Sequence, residues 1–135
     1  MAFVLDNSVV CGWLLQSQAT EYSAAVSRRM AQERAIAPAL LIWEYTNVLR
    51  TACKRGRLKA QDAQQAIACL QRLPIDIDTH APDAAMLLAL ALRHDLSSYD
   101  AVYLELALRL QLPIATWDTD LAGAARVAGV GVLGE

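Results

Sequence analysis

The chain has 135 residues, of which 56% are hydrophobic and 19% charged. That length predicts a single domain, residues 1–135, able to bury roughly two-thirds of the surface its unfolded chain exposes. A net charge of −2 excludes a uniformly basic nucleic-acid binder, no apolar run reaches the roughly 18 residues of a membrane span, and three widely spaced cysteines exclude a disulfide framework or Cys-rich zinc site.

Ala2–Leu5 is a short apolar run ending abruptly at Asp6-Asn7-Ser8, which reads as a buried strand handing its chain to a helix start. No basic n-region precedes that carboxylate, so the segment does not read as a signal peptide. With Cys11, Cys53 and Cys69 read as reduced core thiols, the expectation is a cytoplasmic protein. Helices are expected over residues 9–16 and 20–33, with a brief strand at 35–37 before Pro38. A strong helix follows at 40–55, stopped near Gly56, and another at 60–73, stopped by Pro74. A strand is expected at 75–77, then an Ala- and Leu-rich helix at 82–94 whose breadth of apolar residues predicts burial on several sides. The remainder reads as helix 97–110, strand 114–116 after Pro113, helix 120–128 and a last short strand at 131–133.

Short strands alternating with helices of about a dozen residues predict an α/β fold: a three-layer α/β/α domain around a central, mainly parallel sheet of about five short strands. In such sheets, sites gather beyond the carboxyl ends of the strands. Asp6 ends the first strand, and Asp118 follows the 114–116 strand, with Asp120 two residues on. Each alone reads as a helix N-cap. Asp100 sits on the apolar stripe of its helix, one turn before Tyr103 and Leu104, with Ala107 and Leu108 continuing that face. Ser97 three residues earlier offers a capping box as its explanation, whereas Glu105, with Arg109 four residues on, reads as a solvated acid on the opposite face. Glu44 borders the stripe of Leu41, Tyr45, Val48 and Ala52 and lies too far into its helix to be a cap, with Asn47 one turn further along the same edge.

Four acids brought to one sheet edge are not a stability device. Two carboxylates ~5 Å apart repel by ~3 kcal/mol at an effective dielectric of about 20. Such a cluster protonates or separates unless cations sit in it, and hard oxygen ligands without histidine suit Mg²⁺ or Mn²⁺ rather than zinc. His80 and His94 read as surface or satisfied side chains. Acid-held Mg²⁺ at an α/β edge points to phosphoryl chemistry.

Residues 1–60 hold 8 of the 12 Lys and Arg but 4 of the 14 acids, a balance of +4, against −6 for the remainder. Much of the excess is the run Arg50, Lys54, Arg55, Arg57 and Lys59, which reads either as a solvated helix C-terminus or as a phosphate track. Trp43 and Trp117 each neighbour a candidate acid; they fit base stacking, but core packing is the expectation for both.

Four blocks in order carry a resemblance: Val4-Leu5-Asp6-Asn7-Ser8; residues 38–50 around Trp43-Glu44-Tyr45-Thr46-Asn47; Leu96-Ser97-Ser98-Tyr99-Asp100-Ala101; and residues 112–121 around Thr116-Trp117-Asp118-Thr119-Asp120. Together they resemble a PIN domain, most of all the VapC-type toxins of bacterial toxin–antitoxin pairs. The resemblance implies a Mg²⁺- or Mn²⁺-dependent endoribonuclease, with Asp6, Glu44, Asp100 and Asp118 as its catalytic acids. Asp6, Asp100 and Asp118 would hold the metal, with Ser8, Asn47, Thr116 and Asp120 in support. It also implies a homodimer and inhibition by a small antitoxin protein. A catalytically silent metal-binding interaction module is the alternative expectation. A response-regulator receiver is excluded because it needs a late lysine and the last here is Lys59; an Asp-x-Asp phosphatase is excluded because the first block reads Asp6-Asn7-Ser8.

Overall fold

The computed structural model describes residues 1–134. Four strands, β1 (Ala2–Leu5), β2 (Arg34–Pro38), β3 (Ile75–Asp78) and β4 (Ile114–Ala115), pair in the order β3-β2-β1-β4. Every pairing is parallel. Each strand therefore needs a crossover, and the intervening sequence supplies one in helices. All four carboxyl ends lie at one edge. Asp6 leaves β1, Pro38 closes β2, Asp78 closes β3 and Thr116 follows β4.

Helices α1 (Asn7–Leu14), α2 (Glu21–Arg29), α3 (Leu40–Lys54) and α4 (Ala60–Arg72) pack on one another. Helices α5 (Ala84–His94) and α7 (Thr119–Val127) pack on α6 (Ser98–Leu110), which itself lies on β1 and β2. The core runs from Phe3, Val4 and Leu5 to Leu41, Tyr45 and Leu104, all fully buried. Side chains cap several helix starts: Thr20 and Ser23 form a reciprocal capping box, Asp83 caps α5, and Ser97 caps α6 as expected by accepting from the Asp100 N–H at 3.1 Å. Gly12 permits the contact of α1 with α2, since a Cβ there would lie 2.6 Å from the Ser23 Cβ.

Five expectations are corrected. The strand at 131–133 is a single bridge, Ile114 to Val132, so the sheet has four strands; glycines at 131 and 134 flank a segment that pairs through one residue before turning. Helix 20–33 ends at Arg29, where Arg28 and Arg29 suit the negative end of the helix dipole. Helix α5 has no buried residue, and Met86, Leu88 and Leu92 are exposed, Leu92 by 75%. The broadly buried helix is α6 instead, because it is inserted between the sheet, α5 and α7, while α5 has a neighbour on one side. That insertion also buries Glu105, which is not solvated: Arg109 Nε donates to it at 2.8 Å and Arg109 Nη2 to Asp78 at 2.7 Å. Of the three thiols, Cys11 alone is buried, Cys53 is half-buried and Cys69 exposed.

Candidate active site

The site begins where β1 stops. Asp6 stands at the N-cap of α1 but makes no side-chain cap bond. Its Oδ2 instead accepts from the hydroxyls of Ser8 and Thr116, each at 2.7 Å. Both hydroxyls accept in turn from the segment after β4: Ser8 Oγ from the Trp117 N–H at 2.9 Å, and Thr116 Oγ1 from the Asp118 N–H at 3.0 Å. Residues 110 apart in sequence are thus clamped side by side, and Asp118 is placed by the same hydroxyl that holds Asp6. Asp118 keeps a structural duty as well. Its Oδ1 caps α7 by accepting from the N–H groups of Asp120 and Leu121 at 2.8 and 3.0 Å.

Glu44 reaches the site from α3 and Asp100 from the first turn of α6. The link between them is Tyr103, one turn after Asp100, whose hydroxyl donates to Glu44 Oε1 at 2.6 Å. Tyr103 is 0% exposed, and a buried phenol needs such a partner. The sequence marked Tyr103 only as core; the signal available was its spacing of three from a carboxylate on the same buried face.

Electrostatics show how closely these groups share space. Burial pushes the Asp6 carboxyl up from its ordinary 3.8, against the two hydroxyl bonds, with the Asp118 charge adding to the rise. Burial, then the charges of Asp6 and Asp100, raises Glu44 despite the Tyr103 bond. Asp100 is pushed up to about 6 by burial, then by Asp118 and Asp6, with Asp120 contributing last. The set is an acidic cluster with no Lys or Arg paired to it among the described residues.

That donor set fits a hard divalent ion. A cation would favour the ionised form of three carboxyls that desolvation and one another's charge hold above their ordinary range. Among the described residues, no three acids are placed to enclose an ion by themselves. Mg²⁺ keeps several waters and takes one or two carboxylates directly, so the acids of this set would hold it partly through water.

Not every expected residue joins the pocket. Asn47 is exposed on α3 and lines a groove with Arg55 and Arg57 at the far end of that helix. Arg50 and Lys54 are exposed on the same helix, and none of these four cations is in an ion pair among the described residues. Asp120 is exposed at the rim. The two tryptophans contradict the core expectation: Trp43 is 69% and Trp117 59% exposed, because their backbone positions beside inward-facing acids turn the rings outward. His80, set aside in the sequence, is exposed in a cleft shared with Trp43 and Tyr99.

Comparison with known proteins adds four findings. The family described as PIN domain matches residues 3–127. The chain is 37% identical over 105 residues to Ribonuclease VapC1 of Mycobacterium tuberculosis (strain CDC 1551 / Oshkosh), across 76% of this chain and 77% of that protein. Its fold superposes on VapBC2 from Rickettsia felis, solved bound to a DNA fragment from their promoter, with a TM-score of 0.71, 8% identity, and 98% and 97% of the two chains covered. FitAcB from Neisseria gonorrhoeae superposes with a TM-score of 0.67 and 20% identity over 98% and 96% of the chains. At those identities the two structures bear on the fold alone.

Proposed function

The chain belongs to the PIN domain family, in its VapC branch, and we propose from that premise that it is a divalent-metal-dependent endoribonuclease, the toxin of a type II toxin–antitoxin pair. The observation that supports the reading most is that Ser8 and Thr116 tie Asp6 to the segment of Asp118, Tyr103 ties Glu44 to the helix of Asp100, and the charges of the one pair act on the other. Such an anionic pocket repels its own substrate's phosphate unless a cation stands between them.

Asp6, Asp100 and Asp118 would hold Mg²⁺ or Mn²⁺. When bound, an ion of this class lowers the pKa of coordinated water and neutralises a leaving oxygen. Ser8 and Thr116 fix Asp6 in one rotamer through bonds to a single oxygen, which leaves Oδ1 facing away from both hydroxyls. Tyr103 does the same for Glu44, whose carboxylate orients the attacking water and receives its proton. Hydrolysis by water leaves a 5′-phosphate and a 3′-hydroxyl.

The basic end of α3, with Arg50, Lys54, Arg55 and Arg57 exposed, would carry the RNA backbone away from the pocket. The apolar outer face of α5, with Met86, Leu88 and Leu92 exposed, supplies surface that a second copy or an antitoxin protein would cover. No described helix is long and apolar enough to cross a membrane. Incubating the purified protein with total RNA and Mn²⁺, with and without chelator, tests the reading against the interaction-module alternative. Fragmentation only without chelator supports the enzyme, and intact RNA in both supports the module.

A further inference from the structure

Three of the acids are each preceded in sequence by an exposed aromatic ring: Trp43 before Glu44, Tyr99 before Asp100 and Trp117 before Asp118. The rings are 69%, 62% and 59% exposed, large apolar areas left to water beside a strongly polar pocket. They form two clefts. Trp43 and Tyr99, with His80 and Pro82, wall one of about 350 Å³. Trp117 walls another of about 390 Å³ with Tyr22, whose ring packs 5.7 Å from it at 31°.

The strand order fixes how the clefts sit. The first opens at the ends of β2 and β3, which supply Pro38 and Asp78 to its lining, and the second at the end of β4, which is followed by Thr116. Strand β1, carrying Asp6, lies between β2 and β4. At ~4.8 Å between neighbouring strands, the strand ends beneath the two clefts are about 10 Å apart with Asp6 in the middle. An aromatic cleft on either side of an anionic pocket matches a chain whose flat apolar groups alternate with phosphates.

We infer that the Trp43–Tyr99 cleft and the Trp117–Tyr22 cleft are base-stacking subsites, which grip unstacked nucleobases on the two sides of the phosphodiester held at Asp6. The inference rests on the ribonuclease reading and specifies its substrate as single-stranded RNA. Bases of a duplex are stacked on one another and cannot enter such clefts, whereas splayed bases gain from an exposed ring whatever their sequence.

The experiment is steady-state cleavage of a short single-stranded RNA of mixed sequence by the full chain in Mn²⁺. Trp43→Ala, Tyr99→Ala and Trp117→Ala should each raise KM about tenfold with kcat changed less than about threefold, and Trp43→Phe and Trp117→Phe should restore KM. All three rings are exposed, so thermal midpoints should not move. A readout that precedes turnover is stopped-flow tryptophan fluorescence in Mg²⁺, which supplies the cation that the acids need before a phosphate can approach. The RNA should quench the wild type, quench the Trp43→Phe/Trp117→Phe double variant far less, and have little effect on either when annealed as a duplex. Unchanged KM in all three alanine variants, with wild-type cleavage intact, overturns the clefts and leaves the nuclease. Absence of metal-dependent cleavage by the wild type removes the nuclease reading and the clefts with it. Loss of a co-expressed antitoxin by the alanine variants, with RNA kinetics unchanged, also overturns the inference by giving the rings to a protein partner.

Discussion

The Tyr103 hydroxyl donates to Glu44 at 2.6 Å and is the bond by which α6 holds the acid of α3. A fully buried phenol with a carboxylate partner is expensive to disturb, because removal strands an acceptor that burial has already raised. Tyr103→Phe should lower stability by about 1–2 kcal/mol, as a bond to a charged group whose acceptor keeps some water access. Cleavage should fall about tenfold as Glu44 loses its orientation. Calorimetry and single-turnover kinetics check the two effects, and a variant equal to wild type in both would reduce Tyr103 to packing.

The acids make metal-free stability depend on pH with a definite sign. Asp100 is raised from 3.8 to about 6, so the folded state binds a proton that the unfolded state has released over that interval. Its contribution is present in full below about pH 4 and is lost as pH rises through about 6. Partial exposure reduces the loss to about 1–2 kcal/mol. Thermal midpoints in EDTA should fall between about pH 4 and 7 in the wild type and fall less in Asp100→Asn. Added Mn²⁺ should restore the midpoint near pH 7.

Neutralising one acid should uncouple activity from stability. Asp6→Asn or Asp100→Asn removes a charge that its neighbours repel, so the metal-free midpoint should hold or rise while cleavage drops by at least about a hundredfold. Differential scanning fluorimetry beside an RNA cleavage assay measures both. Retained activity would take that residue out of the acid set.

Thr116 carries two bonds with one hydroxyl, donating to Asp6 and accepting from the Asp118 N–H. Thr116→Val keeps the shape and removes both. Stability should fall by about 1–3 kcal/mol and activity with it, while Thr116→Ser should restore both. Urea denaturation of the pair of variants checks the claim.

Gly12 offers a prediction about the fold alone. A Cβ there would meet the Ser23 Cβ at 2.6 Å and Oγ at 2.7 Å, forcing α1 from α2. Gly12→Ala should destabilise by about 1–3 kcal/mol despite its better helix propensity. Ser23→Gly has a cost of its own through the capping box, but Gly12→Ala should destabilise far less in that background, which assigns the loss to the clash.

Which of these features could be read from the chain follows from physics at each position. Asp6 and Asp118 were legible because an apolar run that ends on a carboxylate fixes both the strand end and the group it delivers. Glu44 was legible because it breaks an apolar stripe too deep in a helix to cap it. Helix α5 misled, since Ala- and Leu-rich sequence looks the same whether neighbours or solvent surround it. Glu105 misled because Arg109 four residues on satisfies it equally well in water or beneath Asp78. Trp43 and Trp117 misled because a large ring next to a buried position is ordinarily core, and only the tertiary fold turns them outward. Tyr103 announced its burial but not its hydrogen bond, which crosses 59 residues.

The most direct measurement combines chelation with the chemistry of the cut ends. Purified protein should cleave RNA in Mg²⁺ or Mn²⁺, stop on addition of EDTA, resume when excess metal is returned, and leave 5′-phosphate and 3′-hydroxyl termini. Cleavage that persists in EDTA, or fragments ending in 2′,3′-cyclic phosphate, would contradict a water-attacking metal site at Asp6, Glu44, Asp100 and Asp118.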